Sequence, residues 1–417
     1  MPRQIAKRST LEWVEHVLCQ FNDHRLSEWD ACELLGIKRV QLYELRRRWL
    51  KAQIAKKPFH LVSSGGHRKR SPAQEVQDIL HQELLYIRKK ARDFREKFNF
   101  SYLAERITKH FGLLIHRNTI RRFAIQHGYY RQIARGRQKV RIRFEMDAVG
   151  ALFRHDTSRH VWLPVSRRYH DLLLTQDDHS RLVAGFSLRE VESSWEHISL
   201  ARRVFETYGC PLAFYVDRHS IFKFNLGSTC IHYTRRITEE EGKIQFKRIL
   251  NAVDVAVLYA EDAQSKGKIE KRFDYFQRRL PLECERYRVK IVKDALPILE
   301  DLDGYCNFQR VHQETDEIPY ERWKRALRDE RTKLRPLPRH QDLDAIFSLR
   351  FPRTVYSDGT IKFQGQTYKI HQTPGTIVTV AFLPKEKIMA WSMVRRSGSA
   401  TLKGSDESPR YVRFFVP

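Results

Sequence analysis

Through positions 11–55 the apolar residues recur every three to four places, the period of an amphipathic helix. From about position 150 they fall into alternating and short continuous runs, the signature of strands. The chain therefore reads as a helical first third followed by a strand-rich remainder. Within the helical part, LSEWDACELLGIKRVQLYELRRRWL splits at Gly36. Ser27 is placed to cap one helix, which Leu34 and Leu35 close. A second helix from about Arg39 turns Val40, Leu42, Tyr43 and Leu45 inward while Arg46, Arg47 and Arg48 stay in water. Short helix, glycine turn and basic helix make the helix-turn-helix pattern. SYLAERITKHFGLLIHRNTIRRFAIQHG repeats it, with Gly112 ending the first helix and Asn118 or Thr119 capping a second that bears Arg121 and Arg122. Each segment alone also fits a plain pair of packed helices; two in succession favour the motif.

Between the two lies KKPFHLVSSGGHRKRSP, rich in Gly, Ser and Pro, with a basic cluster at Arg68, Lys69 and Arg70. Such an arm can follow a phosphate backbone or enter a minor groove, and it suits a solvated linker equally well. Farther on, ALFRHD, YHDLLLTQDD and SRLVAGFSL read as three successive strands, the last two joined by a tight turn around Asp178 to Ser180. SSWEHISLARRVFETYG reads as an amphipathic helix ended by Gly209, and LAFYVD as a short apolar strand of the buried parallel kind. A helix at about 243–252, a strand at VAVLYA and a helix over AQSKGKIEKRF follow. This order predicts an α/β core: a mixed sheet with helices on its faces. Positions 283–338 look helical, with Pro336 and Pro338 marking a linker. Beyond 345, TVYSDGTIKFQGQTYKI and TIVTVAFL, punctuated by Asp358-Gly359 and Pro374-Gly375, predict a small β-barrel of roughly 50 to 70 residues.

Charge narrows the partner. The 417 residues carry 77 Lys and Arg against 50 Asp and Glu, a net charge of +27, and +18 of it falls in positions 1–141. A field of that size concentrates polyanions such as nucleic acid. Six cysteines, Cys19, Cys32, Cys210, Cys230, Cys284 and Cys306, include no CxxC pair, which argues against a zinc module and a disulfide framework. They suit a reducing cytoplasm. With no apolar run approaching the ~18 residues a bilayer demands, and no apolar stretch in MPRQIAKRST, the expectation is a soluble cytoplasmic protein with no membrane partner.

Three carboxylates carry the candidate chemistry. Asp156 lies in FRHDTSRH on the first strand. Asp217 ends the apolar strand LAFYVD, at the carboxyl side of the sheet, where ligands gather and where an aspartate is costly unless something pairs with it. Glu270 lies one position round from the apolar stripe Ile269, Phe273, Phe276 and Leu280, so it points toward the sheet rim, near a helix N-terminus. Two aspartates on neighbouring strands and a glutamate on an adjacent helix offer hard oxygen ligands to two Mg²⁺ ions about 3.5 to 4 Å apart. Such a pair serves phosphodiester chemistry, because the charged centre must be neutralised while nucleophile and leaving group stay in line. Lys266, Lys268, Lys271 and Arg272 can then hold the phosphates. The competing reading is a surface pair of Glu270 with Lys266, worth a few tenths of a kcal/mol. Asp177 and Asp178 read as structural residues of a turn, and His155, His160 and His219 as locally hydrogen-bonded side chains.

HDTSRHVWLP, LLLTQDDHSRLVAG, FYVDRHSIFKFN and QFKRILNAVDVAVLYAEDAQSKGKIEKRF, in this order, resemble the catalytic core of DDE transposases and retroviral-type integrases. The closest likeness is to the ISNCY group of insertion-sequence transposases, and it covers nearly the whole chain. The resemblance implies an RNase H-like core, Asp156, Asp217 and Glu270 as the catalytic and metal-binding acids, and two Mg²⁺ ions for which Mn²⁺ can substitute. It further implies DNA strand cleavage and strand transfer. The expected partners are double-stranded DNA, as element ends and as target, and further copies of the chain on that DNA; the expected place is the bacterial nucleoid. The expected layout is a helix-turn-helix at 1–56, a basic linker at 57–74, a second helix-turn-helix at 75–141 and the core at 142–285. A helical extension and linker at 286–338 and the barrel at 339–417 complete it. Base contacts fall to Gln41, Arg46, Arg121 and Arg122, and phosphate contacts to Arg47 and most other basic residues. Asp262 and Lys271 depart from the SPQAKGRVER of relatives, and no HHCC zinc module is present. Two rivals remain: a catalytically silent DNA-binding regulator of transposase descent, and a structure-specific nuclease on the same fold.

Overall fold

The computed structural model describes residues 9–61, 73–90, 98–131, 145–216, 239–259, 267–338, 341–370, 372–384, 387–392 and 414–415. They fall into two compact units, one of residues 1–147 with 308–321 and one of 148–307 with 322–417.

The first unit is helical. Helices α1 (Leu11–Asn22), α2 (Glu28–Leu35) and α3 (Arg39–Ile54) bury Val14, Val17 and Leu18 against Ala31, Leu35, Leu42 and Leu45, with Phe59 and Leu61 closing the cluster. Ser27 caps α2 as expected, in a capping box with Asp30, and Gly36 leaves the helix in the left-handed region at φ 59°, which glycine adopts at little cost. One face of α3 departs from expectation. Val40 and Tyr43, read as inward, are 78% and 38% exposed. The helix buries the stripe Leu42, Leu45 and Arg46, and positions 40, 43 and 47 fall on the opposite side at their own three- and four-residue spacing.

A second helical set follows: α4 (Gln74–Lys90), α5 (Phe100–Phe111) and α6 (Arg117–Gln126). Leu80, Leu84, Ile87, Leu103, Ile107, Ile120 and Phe123 are buried, His81 Nδ1 lies 2.7 Å from the Tyr129 hydroxyl, and Arg106 pairs with Glu83 at 3.3 Å. Gly112 ends α5 at φ 66°. The cap of α6 is His116, whose side chain accepts from the Asn118 N–H, rather than Asn118 or Thr119.

The second unit is built on a five-stranded sheet: β1 (Leu152–Leu163), β2 (Arg168–Asp177), β3 (Val183–Arg189), β4 (Ala213–Val216) and β5 (Ala256–Tyr259), in the order β3-β2-β1-β4-β5. The β1–β2 and β2–β3 pairs are antiparallel, and β1–β4 and β4–β5 are parallel. That is the mixed α/β sheet expected. Between β3 and β4 runs α7 (Ser194–Tyr208), capped by Ser193 and ended by Gly209; α8 (Glu239–Ala252) precedes β5. A Cβ at Gly209, where φ is 94°, would stand 2.7 Å from the Arg335 carbonyl, so backbone closeness demands glycine there. Phe205, Phe214 and Phe246 pack edge to face across β4.

Helices α9 (Gly267–Gln277), α10 (Leu280–Arg286) and α11 (Val292–Phe308) cover the other face, where Ile269, Phe273, Phe276, Leu280, Leu299 and Cys306 join Trp162, Leu172, Leu174, Val183 and Leu188. At ~1.5–3 kcal/mol for each large side chain removed from water, this cluster anchors α9 to the sheet. Helix α12 (Pro319–Arg328) and the short α13 (Leu343–Ile346) lead to the last strands.

The last strands form no closed barrel among the described residues. Among the described residues, β6 (Leu349–Thr354), β9 (Ile377–Leu383), β10 (Lys387–Ser392) and β11 (Phe414–Phe415) form an open sheet in the order β11-β10-β9-β6, and β7 (Thr360–Phe363) and β8 (Gln366–Lys369) form a separate hairpin. Short strands with turn signals specify antiparallel pairing, whereas closure depends on strand tilt and stagger that such signals do not encode. The Arg248 guanidinium donates to the Ser348 carbonyl at 2.5 Å, and the Gln245 amide pairs with both backbone groups of Arg350, binding this module to α8. No helix among the described residues is long and apolar enough to cross a membrane.

Candidate active site

Successive strand residues face opposite sides of a sheet. On β1, Phe153 and His155 face α7 and α8, where His155 lies within hydrogen-bond distance of His197 and packs beside Phe246. Arg154, Asp156 and Ser158 therefore face α9, and Ser158 Oγ accepts from the Gln277 amide of that helix at 2.9 Å. Asp156 stands opposite Leu174 of β2, is 9% exposed, and its Oδ1 accepts the Thr157 N–H at 2.9 Å. Glu270, in the first turn of α9, is exposed. Its neighbour Ile269 is buried, as the stripe Ile269, Phe273, Phe276 and Leu280 predicts. The third expected ligand, Asp217, lies outside the described residues; β4 ends at the preceding Val216.

A group of buried charges stands beside these acids. Asp178, whose side chain is 0% exposed, receives Lys268 Nζ at 2.8 Å on both oxygens and Arg154 Nε at 2.5 Å, with Arg181 at 3.9 Å. Burial works against its charge, but Lys268, Arg154 and Arg181 together outweigh burial and hold the carboxyl at about 2. Burial and the nearby Arg181 push Lys268 down to about 8, although Asp178 opposes them. Asp177 closes β2 rather than lying in the turn after it, but it is structural as read from the sequence: Oδ1 accepts the Gly150 N–H, and Oδ2 accepts the Ser180 N–H and hydroxyl. Burial raises it to about 6. On the far face, His155 spans Thr175 Oγ1 and His197 Nδ1, each at 2.8 Å, and burial and then His197 hold it well below the usual histidine range, so it is neutral. It is a locally satisfied histidine, as expected. Burial lowers His160 as well, and His219 lies outside the described residues.

The basic residues divide by burial. Lys271 is exposed on α9. Lys268 is committed to Asp178. Arg272 departs from the surface position expected of it: it is 3% exposed, donates to the Arg181 carbonyl at 2.9 Å and contacts the Cys306 thiol. The helical period that sends Ile269, Phe273 and Phe276 inward sends position 272 inward with them. In the first unit Arg46 departs in the same way. It is 7% exposed and grips Asn22 Oδ1, the Thr315 carbonyl at 3.0 Å and Glu317 at 3.5 Å. Gln41 accepts the Lys38 N–H and caps α3. Arg47 is half-exposed and bonded to Asp316 at 3.0 Å, while Arg122 is exposed on α6 and Arg121 partly so. Arg68, Lys69, Arg70 and Lys266 lie outside the described residues. Sequence reading passed over Arg154 and the pairing of Asp178; a basic residue two places before an acid, at both Asp156 and Glu270, was the signal available.

Behind α9, Asp303 of α11 lies half-buried beside Arg272 and bonded to Asn307; burial raises it to about 7 although Arg272 opposes this. A carboxyl raised on folding binds more protons in the native chain than in the unfolded one, so its contribution is fully present below the ordinary carboxylate range and is lost as pH rises through about 7. Between pH 5 and pH 8 this group is expected to cost the native state about 2 kcal/mol. Urea unfolding at the two pH values should show that loss in the parent chain and a smaller one in Asp303→Asn; equal losses would refute the assignment.

Asp156 and Glu270 offer hard oxygen donors, with His155 on the opposite face of the sheet, a set that fits Mg²⁺ rather than a softer ion. Among the described residues no three His, Cys, Asp or Glu side chains form a metal-holding group.

No protein-family model matches the chain. It is 24% identical over 272 residues to "Putative transposase y4bF" of Sinorhizobium fredii (strain NBRC 101917 / NGR234), covering 63% of this chain and 54% of that protein. It is 24% identical over 149 residues to the transposase for insertion sequence IS1202 of Streptococcus pneumoniae, covering 35% and 30%. The chain thus spans about half the length of the first relative and less than a third of the second. Among solved structures, a simian T-cell lymphotropic virus intasome in complex with PP2A regulatory subunit B56 gamma aligns at TM-score 0.35 and 11% identity, over 69% of this chain and 91% of that one. The HTLV-2 integrase catalytic core domain in complex with magnesium, in its trimeric form, aligns at 0.31 and 13%, over 41% and 95%. These two structural likenesses are weak. The curated sequence relatives of this chain are transposases, in keeping with the resemblance of its motifs to DDE-type enzymes.

Proposed function

We propose that the chain is a DDE-type DNA transposase that binds the ends of a mobile element, cleaves the strand there and joins it to target DNA. The observation that carries this reading is the packing of α9, with Glu270 in its first turn, along the face of β1 that bears Asp156. The parallel register pairs Arg154 with Tyr215, and the two aspartates come two residues further along each segment of the sequence. Asp156, Asp217 and Glu270 are the proposed ligands of two Mg²⁺ ions, which when bound supply Lewis-acid stabilisation of the attacking and leaving oxygens. The protein's own part is to hold the three carboxylates and to seat the phosphates, with Lys271 exposed beside Glu270 and Lys266 close to it in sequence. In the helical unit, Arg47, Arg121 and Arg122 contact the duplex together with Arg68, Lys69 and Arg70. Holding two element ends at once calls for at least two copies of the chain. Assignment to the ISNCY group rests on the motifs alone.

A labelled duplex carrying an element end, incubated with the full chain, Mg²⁺ and a target plasmid, tests this. Joined product that disappears on chelation supports transposition. Cleavage without joining identifies a nuclease instead, and tight, steeply salt-dependent binding with no cleavage identifies a regulator.

A further inference from the structure

Two residues before each proposed acid stands a member of one cluster gathered at the buried Asp178. Arg154 precedes Asp156 on β1, Tyr215 precedes Asp217 in sequence, and Lys268 precedes Glu270 on α9. Arg154 and Lys268 both bond to Asp178, and the Arg154 guanidinium lies over the Tyr215 ring at 5.0 Å. Asp178 itself is fixed by its backbone N–H, which donates to the Leu152 carbonyl at 2.9 Å, at the start of β1. The far end of α9 is held as well, by the bond from Gln277 to Ser158.

These anchors set the path of the helix. From Lys268 to Gln277 an α-helix rises about 13 Å, and from Arg154 to Ser158 a strand advances about 13 Å. With one end of each joined through Asp178 and the other through Gln277 and Ser158, α9 lies alongside β1, and Glu270 and Asp156 fall on the same stretch. We infer that Asp178 is a positioning residue for the active site: through Lys268 and Arg154 it sets the separation of the acid on the helix from the acid on the strand, and so the geometry open to the metal ions. This rests on the function proposed above. Asp178 touches neither DNA nor metal in this account. It acts through the two cations, and its burial explains why a carboxylate so near the proposed metal site is not itself counted as a ligand. Residues that orient metal ligands from behind typically contribute 10- to 100-fold, about the effect expected here.

The test uses the full chain with Asp178→Asn, Lys268→Met and Lys268→Arg, and as a milder probe Gln277→Leu, which removes only the far anchor. Mn²⁺ binding is followed by the electron paramagnetic resonance of the free ion, and strand joining is followed against Mg²⁺ concentration. Binding to the element-end duplex and the melting temperature are recorded for each variant. Lys268→Met and Asp178→Asn are expected to weaken Mn²⁺ binding and to raise the Mg²⁺ requirement about tenfold or more, with duplex binding kept. Lys268→Arg should recover most of the loss. The double variant Asp178→Asn with Lys268→Met should lose no more than the worse single one, because the pair acts as a unit. Gln277→Leu should shift the requirement in the same direction, by less, and it keeps the question open to measurement if the charge variants fail to fold. Folded variants with parental Mn²⁺ binding and Mg²⁺ dependence overturn the inference, as does activity that falls only in step with melting temperature. A parental chain that neither binds Mn²⁺ nor joins DNA overturns instead the function proposed above.

Discussion

Glu270→Gln is expected to bind the element-end duplex as tightly as the parent and to form at least about a thousandfold less joined product. That loss corresponds to several kcal/mol of transition-state charge stabilisation removed with one ligand carboxylate. The residue is exposed in the first turn of α9 and the substitution keeps its shape, so the melting temperature should not change. Gel-shift, calorimetric and strand-joining measurements on one preparation separate these effects. Product formation that survives the substitution would remove Glu270 from the chemistry and leave the DNA-binding reading alone. Product lost together with duplex affinity would place Glu270 in DNA contact instead.

A second large effect concerns Arg46. Arg46→Ala is expected to destabilise the helical unit by about 3–5 kcal/mol, the range for deleting one partner of a buried ion pair. Its guanidinium donates to Asn22 and Thr315 and lies 3.5 Å from Glu317, with the two charged side chains 8% and 5% exposed. The deletion leaves the Glu317 carboxylate buried without that cation. In a unit of this size the loss amounts to about 10 °C in melting temperature. The result also decides between two roles. A base-contacting arginine would leave the melting temperature in place and change the preferred DNA sequence; an interior arginine does the reverse. Arg46→Lys should restore only part of the loss, because an ammonium cannot serve Asn22 and Thr315 with a planar fork.

Arg46 and Arg272 show why part of the molecule was not legible beforehand. In RRR and EKRF each is one of several adjacent basic residues, and composition says only that most of them are wet. Which one turns inward depends on helix phase and on what waits inside: Asn22, Thr315 and Glu317 for the first, the Arg181 carbonyl and Cys306 for the second. Val40 and Tyr43 erred in the opposite sense. They are apolar enough to be read as core, yet they sit on the outer face of α3, where Tyr43 and Arg39 both bond to Glu28 of the preceding helix.

What the sequence by itself determined is what short-range physics controls. The glycine turns at Gly36 and Gly112, the Ser27 cap, the succession of strands and helices along the core and the inward stripe of α9 all follow from backbone preference and hydrophobic period within a few residues. Tertiary structure alone decided which charges became partners. Asp178 meets Lys268 and Arg154 across separations of 90 and 24 residues, and burial makes that pairing obligatory, since an interior carboxylate persists as an ion only where cations replace the water it has lost.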